Sequence, residues 1–214
     1  KNENINLQND SENELRRIRY QLISSYISES KSYCLLTGHN LNDHIETFLM
    51  KLSRGVGLKG MEGINYYSIL DEYNKLKIYR PLIKVKKEDL FDYCISNNTQ
   101  PMEDITNYNI RFSRNRIRSN VIPEFEKLNP DFLNTVNRLT NVVKELNNYQ
   151  KKLIDKIFEK IRIKENSNKI SFKKIEFNLL ENFEKKLIIK SKCESISHSI
   201  FIESKHIEII IEKC

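Results

Sequence analysis

Residues 37–63, TGHNLNDHIETFLMKLSRGVGLKGMEG, decide how the rest of the chain is read, because all five glycines of the 214 residues fall inside them. Within that stretch Ile45, Phe48, Leu49 and Leu52 recur at i, i+3, i+4 and i+7, the apolar stripe of an amphipathic helix. Asn40 or Asn42 is placed to cap its start. At about 100° per residue, Asp43, Glu46, Thr47, Met50 and Arg54 share the opposite side. Gly55 follows the last periodic residue, where a left-handed stop is expected, and Gly57, Gly60 and Gly63 let backbone approach backbone or ligand closely. Upstream, residues 33–36 (YCLL) read as a short buried strand ending at Gly38 and His39. A strand, a tight turn and a helix with acids near its start is the place where ligands settle in an open α/β sheet.

Outward from this block, residues 68–72 and 76–80 read as short strands around a Tyr-Asn-Lys turn, and residues 86–97 as a helix burying Leu90, Phe91 and Ile95. The alternation of strand and helix favours a parallel α/β sheet. Beyond Pro101 the chain is irregular, with Asp104 and Thr106 as candidate caps. Then Arg111, Arg114, Asn115 and Arg118 form a stripe from which Arg116 points away, and no acid interrupts residues 105–123. Guanidinium forks at that spacing suit phosphate oxygens. A solvated face with salt bridges to Asp104, Glu124 or Glu126 explains the same residues equally well.

After Asn129-Pro130 an apolar pattern runs without Gly or Pro from Leu133 through Val136, Leu139, Val143, Leu146, Leu153 and Ile157 to Ile161, predicting one long helix or two. A coiled-coil homodimer is the competing interpretation of that stripe. Residues 164–169 read as a polar break, and residues 177–190 and 204–213 as further helices.

The net charge of +7 agrees with a nucleic-acid-facing protein of the cytoplasm but decides little by itself. With 39% hydrophobic residues the chain can bury a core, and no run of about 18 apolar residues suggests a membrane span. The four cysteines, Cys34, Cys94, Cys193 and Cys214, form no C-x-x-C pair, so zinc, iron–sulfur and dithiol chemistry find no support. His39, Asp43 and His44 fit no standard metal-ligand spacing, and no metal-ligating residue is assigned.

The 37–63 segment resembles the tRNA(Ile)-lysidine synthetases of the N-type ATP pyrophosphatase (PP-loop) group, whose pattern is roughly AHHxxDQxETxLxxLxRGxGLxGLxG. His39, Asp43, Glu46, Thr47, Leu49, Leu52, Arg54, Gly55, Gly57, Leu58, Gly60 and Gly63 agree, while Gly38, Asn40 and His44 stand for the family's Ala, second His and Gln. Arg17, Arg19 and Tyr20 resemble a shifted A-R-x-x-R-Y block. Arg80-Pro81-Leu82 and the segment from Pro101 through Asp104, Thr106, Asn107, Arg114, Asn115, Ile117 and Arg118 match the family's downstream blocks. The family's Ser-Gly-Gly-x-Asp-Ser phosphate loop does not occur, so the chain is expected to be a fragment that binds ATP poorly and catalyses nothing alone.

The resemblance implies an α/β, parallel-sheet ATP pyrophosphatase domain (adenine nucleotide alpha hydrolase-like), truncated at its N-terminus, in residues 1–128. A linker helix over 129–162 and the start of a mostly helical tRNA-binding domain over 163–214 would follow. It implies that ATP with Mg²⁺ adenylates the C2 oxygen of the wobble cytidine in the CAU anticodon of tRNA(Ile), after which free lysine displaces AMP. By position, Asp43, Glu46 and Arg54 are the catalytic candidates, with Glu46 orienting Mg²⁺ or the lysine amine and Arg54 steadying pyrophosphate or adenylate charge. Asp43 and Glu46 are equally placed as general base. Gly38, His39 and Arg17 are the nucleotide-binding candidates, and Arg111, Arg114, Asn115, Arg116 and Arg118 the tRNA-binding ones. The rivals are a tRNA-thiolating enzyme of the same ATPase group and a non-catalytic tRNA-binding remnant of the same fold.

Overall fold

The structure, a computed structural model, describes residues 12–30, 32–102, 113–166, 169–196 and 204–213. Asp104, Thr106 and Arg111, singled out from the sequence, lie outside the described residues. The chain divides into two compact units, Lys1–Val143 and Lys144–Cys214, and the division falls within one long helix.

In the first unit, helix α1 (Glu12–Glu29) packs on a three-stranded sheet made of β1 (Leu35–Leu36), β2 (Tyr67–Leu70) and β3 (Leu76–Tyr79), in the order β1-β3-β2. Tyr20, Leu76 and Ile78 form the buried centre of that contact, flanked by Ile23, Ile27 and Leu35. β1 and β3 are parallel, but β2 and β3 are antiparallel, with Tyr67 opposite Tyr79 and Leu70 opposite Leu76. The expected parallel sheet is therefore a mixed one among the described residues. Only residues 71–75 separate β2 from β3, far too few for the crossover that a parallel pair needs, so they close a hairpin with Asn74 and Lys75 at positive φ. The strand at residues 33–36 is also less buried than expected, since Tyr33 and Leu36 are exposed.

Helix α2 (Leu41–Leu52) carries the stripe that the sequence predicted. Leu41, Ile45 and Phe48 are buried against Ile122, Leu133 and Val136, each such side chain contributing about 1.5–3 kcal/mol. Its start is a reciprocal cap: the Asp43 amide donates to Asn40 Oδ1 at 3.1 Å while the Asn40 amide donates to Asp43 Oδ2 at 3.0 Å. The second candidate cap serves a different helix. Asn42 Oδ1 accepts the Lys87 amide at 2.9 Å, closing the start of α3 (Lys87–Ser96) and tying it to α2. On α3 itself no residue is buried, and Phe91 and Ile95 are exposed, contrary to expectation, because no described element covers that side.

A continuous helical segment follows as α4 (Ser113–Arg116), a π-helical turn (Ile117–Val121) and α5 (Ile122–Leu128). Pro123 explains the wide turn: it has no N–H to donate, and its ring would crowd the carbonyl four residues back, so the Ile122 amide reaches Ile117 O instead. Helix α6 (Phe132–Ile161) then runs unbroken across the division between the units. Its first part contributes Leu133 and Val136 to the α2 core. In the second unit its last part contributes Ile154, Phe158 and Ile161 to a core shared with Phe177, Ile188, Ile189 and Ile207. Of the predicted stripe, Leu139, Leu146 and Leu153 are exposed instead. The expected polar break is a hairpin of β4 (Arg162–Asn166) and β5 (Lys169–Phe172), followed by α7 (Lys174–Asn178), α8 (Asn182–Ile196) and α9 (Ser204–Glu212).

The glycine-rich loop after α2 is held by a histidine. His44 is buried, and the Ile64 amide donates to its Nδ1 at 3.0 Å. Nδ1 also lies 3.1 Å from Ile64 O, and Nε2 lies 2.9 Å from Thr140 Oγ1 of α6. Thr140 donates onward to Asn137 O. Gly63, at φ +69°, lies against that ring so closely that a Cβ would sit 2.5 Å from His44 Cε1. At Gly57 a Cβ would meet nothing within 4 Å. Gly63→Ala is therefore expected to lower stability by about 2 kcal/mol or more in urea denaturation, and Gly57→Ala by much less. Equal losses would contradict this packing.

Candidate functional site

Glu46 is on the polar side of α2, yet it is 0% exposed. Charge explains the burial, because two arginines 68 and 72 residues downstream close over it. Arg114 Nε donates to Glu46 Oε2 at 2.8 Å, and Arg118 forks onto both oxygens, Nε to Oε1 at 2.6 Å and Nη2 to Oε2 at 3.0 Å. Arg114 and Arg118 are four residues apart and so lie on one face of their helical segment, turned toward α2. That face is the predicted arginine stripe. Its guanidinium forks meet carboxylates within the chain, and among the described residues these are Asp43 and Glu46 rather than Glu124 or Glu126. The Glu46 carboxylate in turn keeps Arg118 firmly protonated. Asn115 is buried between the two arginines, whereas Arg116 is exposed.

Asp43, one turn earlier, differs from Glu46. It is partly exposed, its Oδ2 is engaged in the helix cap, and its Oδ1 lies 3.4 Å from Arg114 Nη2 and 3.8 Å from Arg118 Nη2. The long contacts leave Asp43 as the acid of the pair that faces solvent. The sequence did not separate the two carboxylates; their burial does.

His39 precedes the α2 cap and is half-buried, with Nδ1 2.7 Å from Thr37 Oγ1. Burial is the main cause holding its pKa below the ordinary 6.5, with Arg80, Arg114 and Arg16 adding to the effect and Asp43 opposing it. The imidazole is thus kept neutral near pH 7. Gly38 beside it is exposed, and a Cβ there would meet nothing within 4 Å. The other two candidates lie elsewhere. Arg54 follows the end of α2, exposed in the turn, so the helical face it was expected to share with the carboxylates stops short of it. Arg17 is exposed and pairs with Glu14 on its own helix.

Its neighbour Arg16, not singled out from the sequence, is the one whose charge reaches His39, Lys51 and Arg80, and its guanidinium lies 5.5 Å above the Tyr20 ring. The doubled arginine at 16–17 made the choice a matter of helical register. Lys51 was also passed over, and Arg80 was matched to the family's R-P-L block without a role. Lys51 Nζ donates to Gly63 O at 3.1 Å, and burial lowers its pKa.

Among the described residues no group of three or more His, Cys, Asp or Glu side chains is placed to hold a metal ion. Glu46, the proposed Mg²⁺ ligand, has both oxygens taken by guanidinium groups. Among the described residues, Glu46 is therefore not free to orient Mg²⁺ in this arrangement.

A family model described as the PP-loop domain matches residues 2–125. The chain belongs to that family. Among its relatives, the tRNA(Ile)-lysidine synthase of Clostridioides difficile (strain 630) is 29% identical over 198 residues, 92% of this chain and 42% of the relative. That of Clostridium perfringens (strain ATCC 13124) is 33% identical over 197 residues, 92% of this chain and 40% of the relative. The enzyme of Francisella philomiragia is 35% identical over 143 residues, 67% of this chain and 35% of the relative. The PP-loop chain thus spans about two-fifths of the length of these curated relatives. No helix among the described residues is long and apolar enough to cross a membrane.

The electrostatics of His39 are open to a direct check. Its imidazole is expected to titrate below 6.5 by NMR, and Asp43→Asn to move the midpoint further down, because the Asp43 charge favours the imidazolium. A neutral buried form means that His39 contributes stability above the unfolded-state value, lost as pH falls through 6.5 toward the folded midpoint. An upward shift in Asp43→Asn would contradict the geometry.

Proposed function

We propose that these residues are the catalytic-domain portion of a tRNA(Ile)-lysidine synthase, which joins lysine to C2 of the wobble cytidine in the CAU anticodon at the expense of ATP. The observation that carries this reading is the Glu46–Arg114–Arg118 cluster, which joins two family motif blocks 68 residues apart and leaves Asp43 at its open side. The names of the relatives support the same reaction. Nothing in the arrangement favours sulfur insertion.

In that reaction ATP first converts the cytidine C2 oxygen into an adenylate, and the lysine amine then attacks C2 as AMP leaves. The amine is an ammonium in water and must lose a proton before it can attack. Asp43 suits both stages: its carboxylate attracts the ammonium, then takes one proton to free the lone pair that attacks C2, and the second proton, made acidic by the new carbon–nitrogen bond, passes to water. Glu46 does no proton transfer. Its carboxylate holds the two guanidinium groups where they neutralise Asp43 only in part. His39, kept neutral, offers a hydrogen bond beside the adenylate without adding positive charge to repel the ammonium. Arg54 and Gly38, both exposed, are proposed by motif position alone to meet pyrophosphate and nucleotide, and Arg116 to meet tRNA phosphate. Such an enzyme acts on tRNA in the cytoplasm, with lysine as its second small substrate.

The test is a chimera in which these residues replace the matched segment of the Clostridioides difficile relative. Given ATP and lysine, it is expected to form lysidine at the wobble position, read by mass spectrometry of tRNA digests, and Asp43→Asn to slow it about 100-fold or more. A folded chimera that adds sulfur or nothing, or one indifferent to Asp43→Asn, would contradict the proposal.

A further inference from the structure

The apolar residues of α6 fall into two stripes. Leu133, Val136 and Val143 are buried, with Thr140 among them. A second stripe, Leu139, Val142, Leu146, Tyr149 and Leu153, is between 40% and 63% exposed. Its centre lies about 100° around the helix from the first. Its spacing of three, four, three and four residues is the a/d repeat by which one helix packs along another. An apolar repeat of that kind left in water calls for a partner.

The flanks of the stripe show which partner fits. Beside the a/d residues, the e side is partly occupied by the chain itself, since Val143 is buried and Gln150 half-buried. The g side carries Arg138, Glu145, Lys152 and Glu159, all exposed. Laid parallel to a copy of itself, α6 would set g residues against e residues, Glu145 against Gln150 and Lys152 against Ile157, and no opposite charges would meet. Laid antiparallel about a two-fold axis, g residues meet g residues. With Leu146 of one copy layered on Tyr149 of the other, and Val142 on Leu153, Glu145 faces Lys152 and Arg138 faces Glu159. Symmetry repeats each pairing, so every charge on that flank meets its opposite and none meets its like. At the ends of the seam Leu139 lies against Lys156, whose methylene stem covers it while the ammonium reaches water. Arg138 and Glu159 already pair at the surface with Asp131 and Arg162, contacts that exchange at little cost. Glu145 and Lys152 have no ion-pair partner among the described residues.

We propose that this face of α6 is the interface of a symmetric homodimer, in which two copies of the chain lie antiparallel along residues 138–159. The apolar seam supplies the affinity, and the charges fix direction and register. Every residue of the interface lies on one continuous helix, and none belongs to the Glu46 cluster. The interface does not depend on the ligase reading.

The test is sedimentation equilibrium of the 214-residue chain without ATP or tRNA. A species of twice 25.5 kDa is expected to form reversibly as concentration rises. Leu146→Glu places carboxylates in the seam and should weaken association about 10-fold or more. Leu22→Glu, the same change at a leucine of α1 that is 52% exposed, should leave it unchanged. Glu145→Lys and Lys152→Glu each set like charges face to face and should weaken association about 3-fold or more. Combined, they restore the pairing with its signs reversed, and the dissociation constant should return to within about 2-fold of the parent. All four positions are exposed, and circular dichroism checks that helix content is kept. A chain that stays monomeric at every concentration, leaving the stripe to a different protein, would overturn the proposal. So would a dimer indifferent to Leu146→Glu, or a double reversal no tighter than the single ones.

Discussion

A carboxylate removed entirely from water must be matched by positive charge, and Glu46 is matched by two guanidinium groups from a helical segment about 70 residues away. That requirement organises the first unit. It fixes the distance between α2 and the segment holding Arg114 and Arg118, and it turns both arginines inward. The π turn before Pro123 keeps the segment helical through a residue that would otherwise break it, so that Arg118 remains on the same face as Arg114. The apolar contact of Leu41, Ile45 and Phe48 with Ile122 and Leu133 supplies the surface on which this pairing sits. Burial of the apolar side drives the association, and the charges select one register of it.

The same pairing separates two acids that look alike in sequence. Glu46 is saturated and shielded, while Asp43, sharing its cap with Asn40 and meeting the arginines only at long range, faces outward. The neutral His39 feels the Asp43 charge, and Arg80, close enough to disfavour its protonation, has no carboxylate partner among the described residues.

Local features were legible from the chain. The α2 stripe, its Asn40 cap, the left-handed Gly55 and the strands flanking residues 71–75 each rest on neighbours within a few positions, where periodicity and turn chemistry operate. Features that join distant residues were not. Nothing near Arg114 reveals that its partner is Glu46, so a stripe suited to phosphate was indistinguishable from one suited to buried carboxylates. His44, which the glycine loop and Thr140 enclose, read only as another polar residue. The choice between Arg16 and Arg17 turned on a rotation of one residue about α1. Phe91 and Ile95 obey helical spacing, yet spacing cannot say whether an element is there to cover them.

The claim on which this account rests is that Glu46 and the two arginines act as one coupled unit, and a double-mutant cycle of Glu46→Gln and Arg118→Gln in urea denaturation tests it most directly. Removing one member of a buried pair leaves the other uncompensated, so each single change should destabilise the protein strongly, and the double change by clearly less than their sum, with a coupling of about 2 kcal/mol or more. Additive effects, with coupling near zero, would contradict the account.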